Sequence, residues 1–162
     1  MSESEGLAKE CIEDLRKAIG HRATWMYLLL DEAEEKGLDP DGFAREAIMR
    51  CGKIHGEEKF EKTDDLEDFA SQFLSGSGKQ IFEMEVKKND GRQFVVDFHY
   101  CPLVAAWESL TESEEEISQL CDIAMDGDRG IISEFPDFEL EIEKKIADGD
   151  DVCRLNITKS NT

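Results

Sequence analysis

Apolar residues recur at helical spacing from Leu7 to about Lys36, where Cys11/Ile12, Leu15, Ala18/Ile19, Trp25 and Leu28/Leu29 follow one another at intervals of three and four. Gly20-His21 interrupts the run and leaves open one bent helix or two. Gly37 ends it, because glycine closes a helix in the left-handed conformation without a Cβ clash. Asp39-Pro40 opens a second helix running to about Ile54: the carboxylate accepts from a free amide, and proline at the first helical position forfeits no hydrogen bond. Thr63-Asp64-Asp65-Leu66 offers the N-cap of a short third helix carrying Leu66, Phe69, Phe73 and Leu74, and Ser75-Gly76-Ser77-Gly78 ends it as a flexible joint.

Beyond that joint the period falls to two. Gln80 to Lys88 places Phe82, Met84 and Val86 on one strand face, and Asn89-Asp90-Gly91 signals a hairpin. The returning strand, Arg92 to Tyr100, places Phe94, Val96, Phe98 and Tyr100 on one face and Val95, Asp97, His99 and then Cys101 on the other. Two helices follow, about Pro102 to Ser109 and Ser113 to Ser133. Phe138, Leu140 and Ile142 then alternate with Glu139, Glu141 and Glu143 as a third strand. Asp148-Gly149-Asp150 is a turn, Val152 to Thr158 is the last strand, with Cys153, Leu155 and Ile157 on one face, and Lys159 to Thr162 reads as a frayed tail. The pattern predicts an α+β fold in a single domain, 1–162. Its helical N-terminal half (1–76) packs on a four-stranded antiparallel sheet with two inserted helices (77–162).

A chain of 162 residues with two Trp and nine Phe is long and apolar enough for one buried core. No stretch approaches the roughly 20 apolar residues that span a bilayer. The acidic start Met1-Ser2-Glu3-Ser4-Glu5 lacks the features of a signal peptide, so a cytoplasmic protein with no membrane partner is expected. The 39 acidic residues against 19 basic ones give a net charge of −20, which repels phosphate backbones and excludes nucleic acid as the main partner. A mobile or cationic ligand fits this balance. Oligomeric state is left open, although the N-terminal helices could pair.

Five widely spread cysteines, Cys11, Cys51, Cys101, Cys121 and Cys153, show no close pairing and are expected to be reduced thiols. Cys11 and Cys51 lie on apolar helix faces and read as packing. Cys101-Pro102 stands where a strand feeds a helix. Cys101 would then be the N-cap, with its thiol lowered by the helix dipole and with His99 on the same strand face as a proton partner. A buried cysteine beside a His99 satisfied by a carbonyl is the plainer alternative. Cys121 and Asp128 are seven residues apart, two helical turns, and would share a face. A buried Asp128 needs a partner, which Arg129, Arg22 or a cationic ligand would supply, unless Asp128 lies near the surface and bonds its own neighbour. Asp122, Asp126 and Asp128 lack the spacing of a calcium loop. Gly149-Asp150-Asp151-Val152-Cys153 reads as a turn leading into an inward-facing cysteine.

In order and spacing, Cys101-Pro102, then Leu120-Cys121 with Asp128-Arg129, then Asp148-Gly149-Asp150-Asp151-Val152-Cys153 resemble the L-2-amino-thiazoline-4-carboxylic acid hydrolase family. Gly20-His21-Arg22-Ala23 and Gly52-Lys53-Ile54-His55-Gly56 extend the resemblance into the N-terminal helices. The family reaction opens 2-amino-thiazoline-4-carboxylate to N-carbamoyl-cysteine. The resemblance therefore implies a hydrolase opening the C–N/C=N bond of a small cyclic amidine, without a cofactor. It implies Cys101 as nucleophile, His99 moving protons and Asp128 facing the amidinium. Arg22 or Arg129 would hold the substrate carboxylate, and Cys121, Cys153 and Asp151 would line the pocket. Attack by water with Asp128 as base serves equally. Met125 and Val152 stand where members of the family often carry further cysteines, which points to a different substrate or a member that has lost catalysis.

Two other classes compete with an enzyme. Cys101, Cys121, Cys153 and His99 would make a Cys₃His zinc set, and the Gly-Asp-x-x-Cys pattern of Gly149, Asp150 and Cys153 ahead of the last strand is similar to small-molecule-sensing domains related to vinyl reductases; either would bind without catalysis. Acidic helix faces would also suit a pure interaction protein.

Overall fold

The structure, a computed structural model, describes residues 3–160. Helix α1 runs unbroken over Glu3–Glu35. Gly20 does not interrupt it; it lies against the later helix α5 (Pro102–Glu108), where an added Cβ would sit 3.6 Å from Ala106 Cβ. Gly37 takes φ 77°, and the amides of Gly37 and Leu38 donate back to Glu34 and Ala33. Helix α2 (Pro40–Glu58) starts with the Asp39 side chain accepting from the Asp41 amide. In α3 (Leu66–Phe73) the cap is Asp65, whose own amide donates to Thr63 Oγ1.

The strand expected from Gln80 begins later, because Gly78–Ile81 form a helical turn, α4. Arg16 of α1 explains the difference. Its Nε donates to Ile81 O at 3.0 Å and its Nη2 to Gln80 O and to Glu83, while the guanidinium lies 4.3 Å from the Tyr100 ring centre. These contacts satisfy the carbonyls at the end of the turn, and Glu83, at φ 50°, redirects the chain into β1 (Met84–Asn89). The hairpin to β2 (Gln93–Phe98) forms as expected: Gly91 is left-handed and Asp90 Oδ1 accepts from the amides of Arg92 and Gln93.

The expected helix from Ser113 to Ser133 is two helices, α6 (Glu114–Ala124) and α7 (Asp126–Ser133), so three helices are inserted between strands rather than two. Met125 joins α6 to α7 in right-handed conformation (φ −65°, ψ −15°), and α7 packs backbone-to-backbone on α2. A Cβ on Gly52 would lie 2.1 Å from Gly127 O, and one on Gly130 would lie 2.4 Å from Met49 O. Only glycines on both helices allow that approach.

Strands β3 (Phe138–Lys144) and β4 (Cys153–Lys159) flank a 3₁₀ turn at Ile146–Asp148 that closes on Gly149 at φ 94°. The sheet is antiparallel throughout, in the order β1-β2-β4-β3. The expected frayed tail is held as far as Ser160, whose amide donates to Asp137 O; Asn161 and Thr162, like Met1 and Ser2, lie outside the described residues.

Two cores result. Under the sheet, Phe94, Val96, Leu155 and Ile157 pack against Leu66, Phe69 and Phe135. Burying each such side chain stabilises the fold by about 1.5–3 kcal/mol. Between the helices, Ala23 of α1 packs with Val104, Trp107, Leu120, Cys121 and Ala147, and Trp107 Nε1 donates to Ala23 O at 2.9 Å. The other sheet face is polar, and there the buried Asp97 receives Arg154 through two 2.7 Å hydrogen bonds. Cys11 and Cys51, expected to pack, are exposed, because α1 and α2 each turn only one face to the body. Among the described residues, no helix is long and apolar enough to cross a membrane.

Candidate functional site

The two cores meet where β2 ends and β4 begins, at the paired residues Phe98 and Cys153. Cys101 follows as the N-cap of α5, with extended backbone (φ −134°, ψ 110°), and is half-buried. Cys121, on α6, and Cys153, at the start of β4, are buried. Burial pushes the Cys121 thiol up to about 12, with Cys153 and Cys101 adding to the rise. It pushes Cys153 up to about 11, against the pull of the Ile146 amide, which donates to Cys153 Sγ at 3.3 Å. Each thiol lies within electrostatic reach of the other two, so the fold gathers the three cysteines that sequence reasoning placed in one pocket.

Cys101 corrects one expectation. Its side chain makes no cap hydrogen bond, and burial raises the thiol above its ordinary value despite the lowering effect of the Val104 and Leu103 amides. Asp128 raises it further and Arg22 opposes. Helix-end stabilisation is therefore present but smaller than the cost of desolvating a thiolate.

Asp128 lies on α7, one turn beyond the junction at Met125, where the Met125 amide donates to Cys121 O and the Arg129 amide to Met125 O. It is half-buried at the surface, yet protein encloses its carboxyl, and burial pushes it up to about 6 against the pull of Arg129 and Arg22. Among the described residues Asp128 forms no salt bridge and no hydrogen bond to another side chain. Its neighbour Arg129 is committed elsewhere, to Asp126 and to Asp122 (3.1 Å), and Arg45 of α2 joins the same carboxylates, with Nη2 2.8 Å from Asp122 Oδ2. Arg129 is thus a strut among α2, α6 and α7. Arg22, exposed on α1, forms no ion pair or hydrogen bond among the described residues, and its charge reaches both Cys101 and Asp128.

Two expected members lie elsewhere. His99 follows the last residue of β2, stays on the polar face with Asp97 and Glu85, and is exposed there with Nε2 2.8 Å from Glu85 Oε2. Asp151 is exposed ahead of β4 and makes no hydrogen bond or ion pair among the described residues. With His99 outside, the Cys₃His arrangement is not assembled, and among the described residues no three His, Cys, Asp or Glu side chains converge to hold a metal ion.

Sequence reasoning missed Lys145. It lies within electrostatic reach of Cys121, lowers that thiol, and pairs with Asp148 (3.3 Å) and Asp122 (3.7 Å). A lone lysine ahead of a turn carries no signal of this. Lys145, Ile146, Ala147, Ser118 and Asp148 line an open groove of about 840 Å³ that stops short of the thiols. Ile146 spans the boundary, with its side of the turn in the groove and its amide on Cys153.

A sequence model of the L-2-amino-thiazoline-4-carboxylic acid hydrolase family matches residues 16–157. The chain belongs to that family. The matched segment of this aminothiazoline-carboxylate hydrolase family member contains Arg22, His99, Cys101, Cys121, Asp128, Arg129, Asp151 and Cys153. No curated protein matches the chain significantly. Among solved structures, a trafficking protein particle complex subunit 3 from Naegleria fowleri, covalently bound to palmitic acid, is 16% identical, with a TM-score of 0.41 over 97% of this chain and 90% of that one.

Proposed function

We propose that the chain is a hydrolase that opens a small cyclic amidine carrying a carboxylate, of the 2-amino-thiazoline-4-carboxylate type, by attack of water. The observation that carries this reading is Asp128: an enclosed carboxyl raised to about 6, without a side-chain partner, beside Cys101 and within reach of the unpaired Arg22. A carboxyl near 6 is ionised at neutral pH and still basic enough to take a proton in a transition state.

The substrate enters as its amidinium, with the ring nitrogen protonated and its carboxylate on Arg22. The oxygen of water adds to the ring carbon as Asp128 takes one of its protons. The C–S bond of the tetrahedral centre then breaks, the sulfur takes the proton from Asp128, and the proton left on oxygen departs to solvent. Both nitrogens remain on the carbon as the urea of N-carbamoyl-cysteine. In this reaction the C=N bond is consumed by addition and the bond cleaved is C–S, not C–N. Cys101 lines the site with a protonated thiol; a covalent route needs its thiolate, which burial disfavours.

The test is release of thiol from 2-amino-thiazoline-4-carboxylate by wild type, Asp128→Asn and Cys101→Ser. Turnover kept by Cys101→Ser and lost in Asp128→Asn supports water attack. Loss in Cys101→Ser with Asp128→Asn still active assigns the covalent route instead. No thiol release by the wild type from this or related cyclic amidines ends the hydrolase reading.

A further inference from the structure

Helix α1 is apolar on two sides and the body covers only one of them. Ala23, Tyr27 and Leu30 pack into the helical core. On the flank away from it, Ala8, Cys11, Leu15, Ala18, Arg22, Trp25 and Leu29 follow one another at alternating intervals of three and four, and every one is exposed. Trp25 is 62% and Leu29 66% accessible, with Leu28 bare beside them. Residues at this three-four spacing, apolar except for Arg22, form the seam that a second helix fits.

We propose that this seam pairs with α1 of a second copy of the chain, antiparallel, to form a homodimer. Three observations favour that occupant. First, the seam is self-complementary only when reversed. With Trp25 opposite the partner copy's Leu15, Leu29 falls opposite Cys11 and Arg22 opposite Ala18, so each large side chain meets a smaller one. A parallel pair would instead stack Arg22 on Arg22 and Trp25 on Trp25, setting like charges together in an apolar layer. Second, the methyl group of Ala18 leaves the Arg22 guanidinium free to keep facing Asp128 and Cys101. Third, from residue 8 to residue 29 the seam is about 32 Å long on a helix about 10 Å wide. That is room for about six helical turns of contact with a second helix of the same length. A lipid surface has no use for the period, and a chain of net charge −20 is repelled by anionic headgroups.

The same charge opposes two copies, so screening by salt should strengthen the pair. Sedimentation equilibrium of the full chain should give twice 18.4 kDa. The double variant Trp25→Glu/Leu29→Glu should sediment as a monomer with unchanged circular dichroism, since both side chains are exposed in the single chain. Orientation is read by oxidative cross-linking: Leu29→Cys should give a covalent dimer, and Cys11→Ser in that background should abolish it. A wild-type monomer at tens of micromolar, or a dimer that survives the double variant, overturns the proposal. A Leu29→Cys cross-link that persists without Cys11 overturns the antiparallel arrangement.

Discussion

Arg22 and Asp128 act on the same thiol with opposite sign. The Arg22 charge lowers Cys101 and the Asp128 charge raises it, from α1 on one side and α7 on the other. Neither group is paired with any other charged side chain among the described residues, whereas Arg129, next to Asp128, is held by Asp122 and Asp126. An enclosed acid and a free cation thus flank one cysteine.

Asp128 should cost stability as it serves function. Its native carboxyl is raised to about 6 from 3.8, so the folded state binds this proton more tightly than the unfolded chain does. Stability contributed by the proton is full below the unfolded value and is lost as pH rises from there through about 6. At pH 7 Asp128→Asn should therefore be more stable by about 1–3 kcal/mol, measured by urea denaturation, and that gain should vanish near pH 4.

The tight crossing of α2 and α7 predicts a contrast between two glycines of one helix. Gly52→Ala should destabilise by about 3 kcal/mol or more, because neither backbone can retreat from a Cβ placed 2.1 Å from Gly127 O. Gly42→Ala, with nothing within 4 Å, should be neutral or stabilising by up to about 1 kcal/mol through helix propensity. Thermal denaturation of the two variants checks both.

Breaking the Asp97–Arg154 pair should be costly from one side. Arg154 holds the Asp97 carboxyl below its ordinary value, so its stabilisation is present above the unfolded value and lost as pH falls through the native one. Arg154→Met leaves a buried charge and should cost about 3 kcal/mol at pH 7. That deficit should shrink on acidification below pH 4, followed by chemical denaturation.

Thiol reactivity should follow exposure and acidity rather than position in motifs. Cys51 should alkylate first in the native protein, Cys101 more slowly, and Cys121 and Cys153 only on unfolding. Peptide mapping after timed iodoacetamide treatment reads the order directly.

The elements legible in the sequence are those whose cause is local. Gly37 and Asp39-Pro40 mark a helix end and a helix start because a few neighbouring residues complete each cap, and Asn89-Asp90-Gly91 closes its hairpin through its own side chain. What was not legible depends on distant partners. Arg16 holds the carbonyls at the end of the Gly78–Ile81 helical turn, and the close crossing of α2 and α7 rests on glycines from both helices. The site shows the same division. The motifs marked Cys101, Cys121, Cys153, Asp128 and Arg22, which the fold gathers. His99 keeps the strand face predicted for it, with Asp97 and Glu85, while Cys101 lies beyond the strand as the cap of α5 and packs against the helical core instead; the sign of the Cys101 shift depends on depth of burial, a tertiary property.

The most direct test of the account is the pH dependence of kcat/KM for hydrolysis of 2-amino-thiazoline-4-carboxylate. Asp128 as base predicts an acid limb falling tenfold per pH unit below about 6, with activity at pH 7 reduced at least a hundredfold in Asp128→Asn. An unchanged acid limb in an active Asp128→Asn variant would contradict the assignment.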